Sequence, residues 1–180
     1  MADFLDEIVA RFCGITPTPV DFTALLRYLL TDYFSNADNI VNPNLKDVIY
    51  TEDDATTGIV IEAGGRWRLS SDDHRPAIFI SRGEWRVEPY LLGMGVIQPA
   101  DSPVYLRRYS GVHNIICIGK TPAATDLLAG EVLHFLVQVI PPLRERLPIS
   151  HLNVVGLSPV QPYGEGRTHY AATIPVTYSF

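Results

Sequence analysis

Residues 168–180 read THYAATIPVTYSF, and how this stretch is placed decides the fold. Tyr170, Ala172, Ile174, Val176, Tyr178 and Phe180 fall on one side of a two-residue repeat. Ala171, Thr173, Pro175, Thr177 and Ser179 fall on the other. That alternation predicts a half-buried strand. Pro175 interrupts it with a residue that has no N–H to give to a ladder. Proline is confined to sheet edges, so the pattern predicts an edge strand.

Working backwards, a helical stretch precedes the closing strands. Thr121 and Pro122 suit the N-cap and first position of a helix. Leu128, Val132, Phe135, Leu136 and Val139 make its apolar face, and Pro141-Pro142 is expected to end it. HLNVVGLSPV (151–160) reads as a strand, and YGEGR (163–167) as the turn of a hairpin into the last strand. Two strand signals precede the helix, in VYLRRYS (104–110) and VHNIICIG (112–119).

Two hairpins are predicted before those. GIVIEA and RWRLS flank Gly64-Gly65, and AIFIS and EWRVE flank Arg82-Gly83. The chain begins with two amphipathic helices. Phe4, Leu5, Ile8, Val9 and Phe12 share one face of the first. The second, capped by Asp21, carries Phe22, Leu25, Leu26, Leu29, Leu30 and Tyr33. Residues 36–46 and 90–102 read as loop. Helices in runs rather than alternating with strands predict an α+β fold. It is an antiparallel sheet with hairpins, flanked by N-terminal helices, with one later helix packed on the sheet. A single domain over 1–180 is expected, with a helical segment 1–35 and a body 47–180.

Composition narrows the function classes. The 180 residues are 47% apolar or aromatic and only 19% charged, with net charge −6. Residues 1–60 hold ten Asp/Glu and three Lys/Arg, net −7, whereas residues 61–180 are net +1. Cys13 and Cys117 form no disulfide framework, and Cys117 reads as a buried apolar residue. The acidic start is no signal peptide, and no apolar run reads as a membrane span of roughly 20 residues. A soluble protein of a reducing cytoplasm is expected.

Motifs for chemistry are sparse. The five histidines form no HxH, HExxH or HxxxH pair, and no GxSxG, GxGxxG or phosphate loop occurs. Asp72, Asp73 and His74 are the one acid–histidine cluster, placed where a polar connector is expected anyway. They are the residues a metal-dependent enzyme would use. A second cluster mixes bases and aromatics: Arg66, Trp67, Arg68, Arg75, Arg82, Trp85, Arg86, Arg107 and Arg108. It admits a nucleic-acid face, a subunit interface or a solvated sheet face. The interleaved Glu62, Asp72, Asp73, Glu84 and Glu88 and the acidic chain favour an interface over nucleic acid.

The order of elements resembles the tail terminator and neck (head–tail joining) proteins of tailed bacteriophages. The resemblance is carried by FLDEIVARF (4–12), RPAIFISRG (75–83), DLLAGEVLHFLVQVI (126–140) and the closing THYAATIPVTYSF. This chain departs from the simplest such proteins in its second N-terminal helix and its loop at 90–102. The resemblance implies a virion protein assembled in the host cytoplasm, without catalysis or cofactor. It implies a ring, usually a hexamer, that caps the tail tube and meets a head-completion protein. A head-closure or adaptor role is the alternative. Genomic DNA would pass through without specific binding. The interface expected for such a ring uses the Arg/Trp cluster (Arg66, Trp67, Arg68, Arg82, Trp85, Arg86, Arg107, Arg108) and the last strand (Thr173, Pro175, Tyr178, Phe180). Asp47, Glu52, Asp53 and Asp54 are the expected lumen acids, which would repel phosphate.

Overall fold

The computed structural model describes residues 18–64, 75–88, 108–147, 149–164 and 168–179. The first predicted helix, the 90–102 loop and the Asp72–His74 cluster lie outside them. The order is α1 (Pro19–Ser35), a 3₁₀ turn (Pro43–Leu45), β1 (Val60–Ala63), β2 (Ala77–Glu88), β3 (Arg108–Gly119), α2 (Pro122–Arg146), β4 (His151–Val154), β5 (Gln161–Tyr163) and β6 (His169–Ser179). The six strands form one mixed sheet in the order β1-β2-β3-β6-β4, with β5 also on β6. The α+β class is as expected. The sheet departs from purely antiparallel at one pair, because β1 runs parallel to β2.

Local chemistry starts both helices. Thr18 caps α1, and a reciprocal capping box runs between Thr18 and Asp21. Asp21 therefore sits inside the first turn, and the helix starts three residues earlier than Asp21 as a cap predicts. Thr121 caps α2 through its hydroxyl, which accepts from the Ala124 N–H at 3.1 Å. The two helices cover one face of the sheet. Phe22, Leu25, Leu29 and Leu30 of α1 pack into a core shared with Leu128, Val132, Leu136 and Val139 of α2. Tyr33 stacks on Phe135 at 4.2 Å between ring centroids and joins the two helices.

α2 does not stop at Pro141-Pro142 but continues to Arg146. Each proline removes one N–H bond, to the carbonyls of Val137 and Gln138. Both residues lie on the exposed side of the helix, away from the core. By length and composition α2 is apolar enough to cross a membrane, contrary to the sequence expectation. Half of that stretch is buried in the protein, as suits a core helix.

β6 is not an edge strand. β3 pairs with it along one side, and β4 and β5 pair with it along the other. The predicted alternation holds: Ala172, Ile174, Val176 and Tyr178 are buried under the helices. Pro175 is tolerated because its missing N–H faces a seam. Its carbonyl accepts from the Val155 N–H at 2.9 Å, just where the neighbouring chain leaves β4 and before β5 begins. The nitrogen points the same way as the carbonyl, so no rung is lost to β3. The YGEGR hairpin is present in its described part: Tyr163 pairs with His169, and Gly164 has φ +81°.

The segment read as a hairpin at Arg82-Gly83 is instead one continuous strand, β2. Its register against β3 slips between Arg82, which pairs with His113, and Trp85, which pairs with Gly111. Gly83 and Glu84 therefore oppose Val112 alone, which is a β-bulge. A Cβ at Gly83 would lie 3.0 Å from the Val112 carbonyl oxygen, so the bulge favours glycine. The strand signals at 104–110 and 112–119 likewise merge, in their described part, into β3. The first hairpin is described only as far as β1 and Gly64, whose φ of +123° suits a turn.

Candidate subunit interface

The bulge sets which side chains β2 presents. Before it, Ile78, Ile80 and Arg82 face the helices. After it the phase has shifted by one, so Trp85 and Val87 continue on that face and Glu84 and Arg86 move to the other. β1 pairs with β2 only at residues 77–80. From Ser81 onwards β2 has, among the described residues, no strand on its outer side. Glu84, Trp85, Arg86 and Val87 are all exposed, Trp85 by 41% and Val87 by 46%. Trp85 stacks flat on Tyr109, 5.2 Å between centroids and 4° between planes. Arg86 grips Glu84 with both arms of its guanidinium, at 2.7 and 2.9 Å. Those hydrogen bonds, then the charge of Arg86, hold the Glu84 carboxyl below its ordinary value.

Arg82 turns inward from this edge. It lines a groove of about 1090 Å³ between α1 and the β1–β2 side of the sheet, together with Arg27, Tyr28, Tyr50 and Glu52. Below it lies a polar spot in the core. His113 is fully buried, and Nε2 sits 2.6 Å from the Thr23 hydroxyl. Thr23 donates to the Pro19 carbonyl at 2.9 Å, so the imidazole N–H donates to Thr23 and Nδ1 is the bare nitrogen. Nδ1 has no hydrogen-bond partner among the described residues. Burial, then the Arg82 charge, pushes the His113 pKa down to about 4. Phe22 packs against both His113 (5.1 Å) and Tyr178 (4.3 Å). Burial also pushes the Tyr178 hydroxyl up to about 12.

The predicted interface residues thus separate. Arg82, Trp85 and Arg86 lie on one strand that has, among the described residues, no partner on its outer side beyond Ile80. Thr173 and Pro175 lie half-exposed on the helix-free face of a central strand. Tyr178 is a core residue, 1% exposed, and offers nothing to a partner. Arg66, Trp67, Arg68, Arg107 and Phe180 lie outside the described residues, as does the side chain of Arg108. Of the lumen acids, Asp47, Glu52, Asp53 and Asp54 are all exposed. Asp54 is paired with Arg75 at 2.8 Å. Asp53 builds a turn, accepting the Ala55 N–H at 3.0 Å.

One buried acid was absent from the sequence reading. Glu131 on α2 is 5% exposed and accepts from Tyr33 Oη (2.6 Å), Val41 N–H (2.7 Å) and Asn42 N–H (3.1 Å). It fastens the 36–45 loop and α1 to α2. A charged residue in phase with Leu128 and Phe135 was the available signal. Burial and this carboxylate together push the Tyr33 pKa well above its ordinary value. Among the described residues no three His, Cys, Asp or Glu side chains are grouped to hold a metal ion. Comparison with known protein families and with curated proteins returns no match.

Proposed function

We propose that this chain is a structural virion protein of a tailed phage: a tail terminator whose copies form a ring, hexameric by the resemblance, that caps the tail tube and joins it to the head. A head-closure or adaptor ring is the variant of the same reading. The observation that carries it is the outer side of β2. A strand that has, among the described residues, no neighbour on its outer side beyond Ile80, with Trp85 and Val87 exposed, is a template for a further chain. A ring subunit needs such a surface twice over, once for each neighbour.

The partners of this reading are further copies of the chain, the tail tube protein and a neck protein. DNA passes through without being read. The exposed acids Asp47, Glu52 and Asp53 suit a passage that must not hold phosphate. The test is capping. Purified protein is added to tail tubes assembled without a terminator. The reading predicts density at one end of each tube and an end to elongation. Tubes that stay bare and keep growing would refute it.

A further inference from the structure

Two open edges belong to the same strip of sheet. β2 lacks an outer neighbour beyond Ile80, and β4 lacks one along its length, among the described residues. The register puts them level. Arg82, His113, Val176 and Val154 form one row across β2-β3-β6-β4, and Arg86, Ser110, Ser179 and His151 form another. The open part of β2 and the whole of β4 therefore span the same rows on opposite sides. Their directions also agree. Every pair in this strip is antiparallel, so β4 runs opposite to β2. A copy added by rotation about a ring axis keeps its orientation, and its β4 would meet β2 antiparallel.

Among the described residues no backbone bond engages the outward groups of Leu152 and Val154 on β4 or of Arg82 on β2. Val155 donates inward to Pro175, so by alternation Val154 and Leu152 point their N–H and C=O outward. Ile80 accepts from Gly64 on the β1 side, so Arg82, two residues on, points its groups outward too. Val155, 63% exposed, stands beside the β4 edge level with Pro175 on the helix-free face, whereas Trp85 and Val87 stand on the helix face of the β2 edge. The bulge and the Glu84–Arg86 pair kink and charge the β2 edge, which discourages strands that do not match it.

From these rows and directions we infer that β2 of one copy adds to β4 of the next, head to tail, making one continuous sheet around a closed ring. This rests on the ring reading and names the contact that builds the ring. It leaves no open edge in this strip, whereas a two-fold contact would consume one kind of edge and leave the other.

Two substitutions isolate the edges. Val154→Pro and Arg82→Pro each remove an outward N–H that makes no bond among the described residues. Light scattering reads the mass, and a circular dichroism melt close to that of the parent shows that each variant folds. The inference predicts that the parent is a closed oligomer and that each variant falls to a monomer of 20.0 kDa. An equimolar mixture then yields two-chain species and nothing larger, since each variant keeps one working edge. Folded variants that still form the parent oligomer would overturn this contact and leave the ring reading standing. A parent that stays monomeric up to millimolar concentration would overturn both. Should either proline variant fail to fold, cysteines at the exposed 84 or 86 and 151 or 153 replace it. Oxidative ladders of cross-linked chains are then expected, and their absence overturns the contact.

Discussion

Removing the Glu131 carboxylate should loosen the whole α1–loop–α2 junction. The group accepts three hydrogen bonds at 2.6, 2.7 and 3.1 Å in a site that is 5% exposed. Bonds to a charged acceptor contribute about 1.5–3 kcal/mol each, and an orphaned buried donor costs about 1–3 kcal/mol. Glu131→Ala strands three donors at once, but Val41 is 62% exposed, so water reaches part of the site. The low end of each range then applies, and the expected loss is about 3–5 kcal/mol. Glu131→Gln keeps the shape and one good acceptor, and about 1–2 kcal/mol should be lost. Tyr33→Phe removes one donor and should cost about 1–2 kcal/mol. Urea unfolding at pH 7 measures all three. A double-mutant cycle between Tyr33→Phe and Glu131→Ala should give a coupling of at least about 1 kcal/mol. A loss below about 0.5 kcal/mol for Glu131→Ala, in a variant with native circular dichroism, would refute the clamp.

Three further outcomes are expected. His113 takes its proton near pH 6.5 when unfolded and near pH 4 when folded, so stability is full above about pH 6.5 and falls as pH drops towards 4. The step is on the order of 3 kcal/mol from about 2.5 pH units, and His113→Gln should remove it from the curve of stability against pH; an unchanged curve would contradict the assignment. Gly111→Ala places a methyl 2.6 Å from the Tyr178 hydroxyl oxygen and 3.2 Å from Trp85, so urea melts should show about 1–3 kcal/mol lost and tryptophan fluorescence should shift. Asp47→Lys with Asp53→Lys should leave assembly intact and slow DNA release from reconstituted particles, and release at the parent rate would remove these acids from any lumen.

Much of the architecture was legible because it rests on periodicity. The repeat in 168–180 gave the buried face of β6, and the 3.6 spacing gave the core stripes of α1 and α2. The errors share a cause: one local signal has two physical solutions. Arg82-Gly83 between alternating runs fits a tight turn or a bulge, since both shift the strand phase. Pro175 fits an edge or a seam between two short strands, and only the partners decide. Pro141-Pro142 fits a helix end or an exposed side of a helix that runs on, and α2 runs on to Arg146. The parallel placement of β1 left no mark in four residues. At the candidate interface, sequence singled out Arg82, Trp85 and Arg86 by composition. It also placed Tyr178 there, because the outward or inward sense of a strand face is set by packing and not by the repeat itself.

The central claim is that copies of this chain close into a ring. The mass of the purified full-length protein, measured by light scattering across protein concentration and salt, tests it most directly. The account predicts one closed oligomer of about six chains whose mass does not grow with concentration. A strict monomer at every concentration, or an open series of ever larger species, would contradict it.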